Sequence, residues 1–135
     1  MSRMLFVNLP VNDLSASIAF FSGLGFAFDP AFTDQNSTCM VISEQACVML
    51  LRRDFFESFH RRGTARPGDP LEVMTAVSAT SREDVDDLCD RALATGATPA
   101  SAPDDQGFMY GRSFVDLDGH VWEVMWMDPQ AAGAA

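Results

Sequence analysis

The feature that most constrains this chain is a repeated order of secondary-structure signals. An alternating apolar pattern over Met4–Val11 predicts a strand, and a helical pattern and three more strand patterns follow it within residues 3–52. The same order of strand, helix and three strands begins again at Leu71 and runs to residue 128. The chain is therefore predicted to contain two similar βαβββ modules, offset by roughly 67 to 74 residues.

Capping residues support both predicted helices. In the first module Asp13 is a favourable N-cap, and Gly25 allows the left-handed conformation that ends a helix. In the second module Thr80 and Ser81 with Glu83 and Asp84 form a capping-box pattern, and Gly96 follows the apolar stripe of the helix. Each module is thus predicted to carry one helix between its first and second strands.

Length and composition indicate one α+β domain over residues 1–135. With 135 residues and 47% hydrophobic content, the chain can form one substantial core but not two ordinary domains. We predict a first module over 3–52, a connector over 53–70, a second module over 71–128 and a frayed tail over 129–135. Two such modules are expected to form a curled sheet around a central cleft.

The acidic charge excludes one class of partner. The formal net charge is -10, and all nine basic residues are arginine. Nucleic-acid binding requires a basic face, so no nucleic-acid partner is expected. The negative charge would instead attract a cationic small molecule if the carboxylates line a cleft.

The sequence shows no signal for export or for a membrane. It has no run of about 18 apolar residues, and its N-terminus enters a strand pattern directly. We therefore expect a cytoplasmic protein with no membrane partner. Cys39, Cys47 and Cys89 are odd in number and lack CxxC spacing, so they are expected to be small buried hydrophobes without disulfides.

The closing hairpin, Phe114–Met127, contains the residue that most suggests chemistry. Period-2 alternation on its returning strand places Glu123 and Met125 on one face and Trp122 on the other, which we expect to be the core face. A carboxylate among apolar neighbours must meet water in a concave site, accept hydrogen bonds or bind a cation. Glu123 is therefore the candidate catalytic residue.

The helix-free faces of the two predicted sheets supply the other site candidates. Alternation selects the residues that are expected to point into the cleft, and we interpret them as ligand-binding candidates. They are Phe6, Asn8, Met49, Leu51, Val73, Thr75, Val77 and Met125.

Several candidates have two open interpretations. Glu123 is either a general base or a buried carboxylate held by Asn8, Thr75 or Arg112. Tyr110 and Arg112 could contact an anionic or phenolic ligand, and Arg112 could equally be a surface residue or pair with Glu123.

The connector contains a second group with open alternatives. Phe55, Phe56 and Phe59 fit one face of a short helix, close to His60. They could cover the cleft, pack on a dimer partner or cover the core.

Two segments resemble signature regions of one protein family. Phe6–Leu14 running into Ser17–Phe26 is similar to the opening strand, helix and Leu-Gly-Phe exit of the vicinal oxygen chelate superfamily, which includes glyoxalase I, bleomycin-resistance proteins and extradiol dioxygenases. Asp116–Glu123 resembles the closing hairpin of that family, with Leu117 where proline is usual. The resemblance covers Met4–Asp128 and implies two paired βαβββ modules, usually in a homodimer and often with a divalent metal on the inner faces.

The metal ligands that the resemblance implies are mostly missing. The first-strand ligand positions match Phe6 and Val73, the counterpart of Glu123 matches Met49, and Glu123 alone has a suitable donor. A stable transition-metal site needs about three protein ligands. We therefore expect no cofactor, with a divalent metal at Glu123 as the alternative.

These observations favour a small-molecule binding protein similar to the bleomycin-resistance branch, in which acidic dimers sequester a cationic drug. The first alternative is a glyoxalase- or lyase-like enzyme that uses Glu123 as base with a weak or non-standard metal site. The second is an interaction module with an occluded pocket. A homodimer is expected for each.

Overall fold

The computed structural model describes residues 2–133, which fall into two compact units, the first ending at Arg66 and the second beginning at Pro67. Both units combine one open mixed sheet with helices, so the predicted α+β class is confirmed. No helix within residues 2–133 is both long enough and apolar enough to cross a membrane.

The first unit contains a four-stranded sheet in the order β1-β4-β3-β2. Strands β1 and β4 are parallel, whereas β3 is antiparallel to both of its neighbours. The elements are β1 Leu5–Val11, α1 Leu14–Gly23, β2 Ala27–Asp29, a 3₁₀ turn Pro30–Phe32, β3 Ser37–Ser43, β4 Ala46–Arg52 and α2 Arg53–Glu57.

The second unit repeats this topology in the order β5-β9-β8-β6, with β7 paired to β8. Its first strand again lies parallel to its last, as β5 does to β9. The elements are β5 Thr75–Ser78, α3 Arg82–Ala94, β6 Thr98–Pro99, β7 Asp104–Asp105, β8 Met109–Val115, β9 Val121–Met127 and α4 Pro129–Gly133. The predicted repeat is confirmed in its strand order, but three strands follow the helix in the first unit and four in the second, where β6 and β7 both pair with β8.

Both predicted helix starts are confirmed. Asp13 Oδ1 accepts a hydrogen bond from Ala16 N at 3.0 Å, and Ser81 Oγ accepts one from Asp84 N at 3.0 Å. Of the two acidic residues in the predicted capping box, Asp84 is the one that bonds back, since its Oδ2 accepts a hydrogen bond from Thr80 N at 2.9 Å. These bonds satisfy N–H groups that have no partner within a helix.

Each helix covers one face of its sheet. In the first unit α1 contacts β3 and β4, where Met40, Val48 and Leu50 are buried. In the second unit α3 contacts β8 and β9, and Trp122, 1% exposed, is among the largest buried side chains. The predicted core face of the closing strand is thus confirmed at Trp122.

The predicted start of β5 is wrong. The sequence pattern placed Val73 inside this strand, but β5 begins at Thr75 and Val73 is 60% exposed. The parallel register sets Thr75 beside Trp122, and β9 begins at Val121. Val73 would lie beside His120, in the turn, where no strand partner exists.

The predicted frayed tail is also wrong for the residues that the structure describes. Pro129–Gly133 form the short helix α4. Residues 134–135 of the predicted tail lie outside the described part of the chain.

Candidate functional site

Four of the site candidates share one face of the first sheet. The register of β1 and β4 sets Phe6 beside Cys47, Asn8 beside Met49 and Pro10 beside Leu51. Neighbouring residues in register point to the same side of a sheet. Phe6, Asn8, Met49 and Leu51 therefore lie together, on the side opposite the buried residues under α1. We call this side the first open face.

A pocket of about 250 Å³ lies between the first open face and the connector. The sheet contributes Asn8, Met49 and Leu51, and the connector contributes Phe55, Phe56 and His60. We call it the connector pocket. The Phe55 ring is edge-on to Phe59 at a centroid distance of 5.0 Å, so the aromatic residues pack on one another as well as on the sheet.

His60 adds a polar atom to the connector pocket. Its ring meets Phe56 edge-on at 5.0 Å, and its Nδ1 accepts a hydrogen bond from Arg62 N at 3.2 Å. In neutral imidazole the other nitrogen then carries the proton. That atom, Nε2, is buried and has no hydrogen-bond partner among the described residues. Sequence reasoning gave His60 no role, because only its helical spacing from Phe56 links it to the pocket.

A second concavity, of about 430 Å³, lies on the first open face nearer the N-terminal end of β1. Its lining is predominantly apolar and includes four sulfur-containing side chains. The lining includes Met4, Phe6, Cys39, Val41, Cys47 and Met49. We call it the sulfur concavity.

Glu123 lies on the helix-free face of the second sheet. The register sets it beside Ala76 and opposite Ser113, with Met125 beside Ser78 and opposite Gly111. We call this side the second open face. Glu123 lines a depression of about 200 Å³ there, and its carboxylate forms no hydrogen bond or ion pair within the described part of the second unit. Small neighbouring side chains leave the carboxylate accessible.

Thr75 and Val77 do not share this face with Glu123. Thr75 lies beside Trp122 and Val77 beside Val124, so both point to the side that α3 covers. The prediction that they line the site beside Glu123 is therefore wrong. A shift of one residue in register reverses the direction of every side chain in a strand. The predicted alternation of β5 was out of phase by one residue, since Ala76 and not Thr75 lies beside Glu123.

Tyr110 and Arg112 are also on the side of α3. They lie opposite Trp126 and Val124 in the register of β8 and β9. Tyr110 Oη donates to Asp86 Oδ1 at 2.6 Å, and Arg112 Nη1 donates to the same atom at 2.9 Å. The alternative in which Arg112 pairs with Glu123 is wrong, since its guanidinium pairs with α3.

Hydrogen bonds within this polar cluster shift the pKa values of Asp86 and Tyr110. The hydrogen bond from Tyr110, followed by that from Arg112, lowers the pKa of Asp86 below its ordinary value. The same bond to Asp86 raises the pKa of the Tyr110 hydroxyl. Arg112 Nη1 also donates to Asp90 Oδ1 at 2.9 Å, so two carboxylates of α3 share one guanidinium. The arrangement joins helix to sheet and is compatible with a structural role.

The residues around Glu123 do not fit a resident divalent metal. Its register neighbours in the second unit are Ala76 and Ser113, and the Ser113 hydroxyl is 2.8 Å from Ser101 Oγ. No group of three His, Cys, Asp or Glu side chains suited to a metal occurs within residues 2–133. One carboxylate with hydroxyl neighbours falls short of the three donors that a transition metal requires.

The register also corrects one matched ligand position. Met49 lies beside Asn8 in the first sheet, and Glu123 lies beside Ala76 in the second. Ala76 is therefore the counterpart of Asn8. The counterpart of Phe6 is Met74, one residue beyond the Val73 that the sequence pattern had selected.

Comparisons with known proteins agree with this topology. Residues 3–124 match the family model described as Glyoxalase/Bleomycin resistance protein/Dioxygenase superfamily. A comparison with curated proteins found no match.

Solved structures show the same fold. A hypothetical protein from S. aureus is 27% identical with a TM-score of 0.78, and the alignment covers 93% of this chain and 95% of that one. A glyoxalase/bleomycin resistance protein/dioxygenase family enzyme from Burkholderia phytofirmans is 19% identical with a TM-score of 0.78, covering 93% and 99%. The fosfomycin resistance protein FosX from Listeria monocytogenes is 18% identical with a TM-score of 0.67, covering 96% and 97%.

Proposed function

Because the chain belongs to the glyoxalase/bleomycin resistance protein/dioxygenase superfamily, we propose that it binds a small, partly hydrophobic, cationic molecule without a resident divalent metal. The connector pocket is the observation that carries this proposal. It combines an apolar wall with one buried, unpartnered donor, His60 Nε2. Such a combination of apolar lining and few polar groups is typical of ligand sites.

The chemistry of the pocket supports a cationic ligand with an aromatic or aliphatic body. The faces of Phe55 and Phe56 can attract a cation through their ring quadrupoles, and they leave the ligand's apolar part in contact with Met49 and Leu51. A hydrogen-bond acceptor on the ligand would satisfy His60 Nε2.

The absence of a resident metal and the homodimer are parts of the same proposal. The donor set around Glu123 supports the first, and the family architecture supports the second. Elemental analysis of the untagged protein, with and without added Zn, Ni, Mn and Fe, tests the first part. Stoichiometric metal that disappears in Glu123→Gln would overturn it. Sedimentation equilibrium tests the dimer, and a monomer at micromolar concentration would contradict it.

The binding proposal is tested with a thermal-shift screen of cationic aromatic compounds, followed by calorimetric titration. We expect Phe56→Ala to weaken the best compound by about tenfold, since it removes one aromatic wall of the pocket. Phe32→Ala is the matched control, because Phe32 lies in the same unit, is 63% exposed and lines the other concavity. Equal losses in the two variants, or no compound sensitive to Phe56, would contradict the proposal.

One observation favours a second function, catalysis by Glu123 as a general base. Its carboxylate faces a depression and has no partner within the second unit. A base must be free to accept a proton from a bound molecule. If the protein turns over a compound found in the screen, Glu123→Gln should abolish turnover and leave its dissociation constant within about twofold. Turnover that survives in Glu123→Gln would exclude this function.

A further inference from the structure

Three sulfur-containing side chains are contiguous on the first open face. Cys39 of β3 lies directly opposite Met49 of β4. Cys47 precedes Met49 by two positions on β4 and lies opposite Val41. Residues two apart on a strand point to the same side, so Cys39, Cys47 and Met49 form a triangle on one surface.

This triangle borders open space and not the helix-covered core. All three side chains line the sulfur concavity, together with the partly exposed Met4. The two cysteines are 4% and 6% exposed. Cys89 differs, because it is fully buried on α3 in the second unit.

The strand geometry disfavours a disulfide between the two thiols. Cys39 and Cys47 are diagonal neighbours, and such residues have Cα atoms about 7–8 Å apart. A disulfide requires a separation below about 7 Å, so closing one would need the strands to move. A cation bound between the two sulfurs does not require the strands to move, because two metal–sulfur bonds span a longer distance than one S–S bond.

We propose that Cys39, Cys47 and Met49 form a binding site for a thiophilic monovalent cation of the Cu(I) class. Thiolate and thioether donors select Cu(I) over hard cations. Two thiolates satisfy a two-coordinate site, and the Met49 thioether can complete a three-coordinate one. Asp29 lines the same concavity and adds negative charge next to Cys39.

Binding must displace protons from the thiols. Burial, followed by the neighbouring Cys47 thiol, raises the pKa of Cys39 to about 11. One Cu(I) binds the two cysteines as thiolates, so binding to the two thiols releases two protons and leaves a complex with one net negative charge. The affinity should rise with pH in the neutral range, because ligand deprotonation becomes less costly.

The test is an anaerobic competition titration of the fully reduced protein with Cu(I) and a chromophoric Cu(I) chelator. We expect one equivalent of Cu(I) per chain. Cys39→Ser and Cys47→Ser should each weaken binding by at least about a hundredfold, and Met49→Leu by a smaller factor. Cys89→Ala is the matched control and should bind Cu(I) as the unaltered protein does.

A measurement on the unaltered protein covers the case in which a serine variant fails to fold. Ag(I) is added, the protein is alkylated, and the modified cysteines are identified by mass spectrometry. We expect Ag(I) to protect Cys39 and Cys47 and to leave Cys89 unaffected. Binding without this protection, binding that persists in both serine variants, or no binding at all would overturn the proposal.

The proposed cation site shares Met49 with the connector pocket but does not include Phe56. Phe56→Ala should retain one equivalent of Cu(I), since Phe56 lines the connector pocket and not the sulfur concavity. If Phe56→Ala loses ligand binding and keeps one equivalent of Cu(I), the two sites are distinct. Failure of the ligand proposal would then leave the Cu(I) proposal untouched, and the reverse.

Discussion

The two units follow the same strand path but place their polar side chains differently. In the first unit α1 meets its sheet through apolar residues, with Phe20 and Phe21 packed edge-on at 4.9 Å. In the second unit α3 is joined to its sheet by hydrogen bonds from Tyr110 and Arg112 to Asp86. The two units therefore share their strand order, whereas the interactions that join helix to sheet differ between them.

The two open faces carry different metal donors at one pair of equivalent positions. The first carries Met49, beside Asn8, and the second carries Glu123, beside Ala76. The same backbone position therefore presents a soft thioether in one unit and a hard carboxylate in the other. A metal that prefers oxygen donors and a cation that prefers sulfur would choose different units.

The hairpin turns differ as well. Asp116 is 7% exposed and accepts hydrogen bonds from Asp118 N and Trp122 Nε1 at 2.9 Å, and from His120 N at 3.0 Å. In the first unit the corresponding turn is exposed, and Ser43 Oγ accepts one bond from Gln45 N at 3.1 Å. The second unit thus depends on one buried carboxylate for the shape of its closing turn.

Among the variants that test this difference, Asp116→Ala should change stability the most. The variant leaves three donors without their acceptor, one of them the buried Trp122 indole, so we expect a loss of about 3 kcal/mol in the free energy of unfolding. Urea denaturation followed by tryptophan fluorescence measures it. Ser43→Ala is the control and should change stability by less than about 0.5 kcal/mol. Similar losses in the two variants would show that the turns are equivalent.

A smaller effect is expected for Arg112→Gln. The side chain of Arg112 is 17% exposed and pairs with Asp86 and Asp90, so we expect a loss of roughly 1–2 kcal/mol in unfolding free energy. Arg52→Gln in the first unit removes an exposed pair with Asp54 and should cost less than about 0.5 kcal/mol. Equal costs would contradict the contrast between polar and apolar attachment of the helices.

The smallest effect concerns pH and the Arg82–Asp105 pair. Arg82 donates to both oxygens of Asp105, at 2.7 and 3.0 Å, and this lowers the pKa of Asp105 from 3.8 to about 2. Because the pKa of Asp105 is lower in the folded chain than in the unfolded chain, the pair stabilises the fold at pH values above the unfolded-state pKa. This contribution is lost as the pH falls from about 3.8 to about 2. An NMR titration of Arg82→Gln should show the pKa of Asp105 rising toward 3.8.

Arg91→Gln is the control for that titration. Arg91 pairs with Asp87 on the exposed side of α3, so its loss should leave the pKa of Asp105 unchanged. If Arg82→Gln also left it unchanged, the bond from Gly107 N to Asp105 Oδ1 would be the main cause of the shift.

The sequence predicts what depends on local signals. Capping by Asp13 and the buried side of β9 at Trp122 follow from short patterns, and the repeat of these signals gives the topology. The side of the sheet to which Thr75 and Arg112 point cannot be read from these patterns, because the facing of a strand is set by its register with the neighbouring strand. The sequence predicts the connector pocket only as one of three alternatives for Phe55, Phe56 and Phe59, because the pocket depends on how α2 packs against β1 and β4.

The position of β9 in its sheet affects how the second unit can be made. In the order β5-β9-β8-β6, β9 joins β5 to the other strands, yet it follows all of them in the chain. During translation β5 emerges early with its backbone groups unpaired, and its pairing waits until Val121–Met127 leaves the ribosome. The sheet of the nascent second unit therefore cannot be completed before β9 emerges, and a chain that ends before β9 leaves β5 without its strand partner.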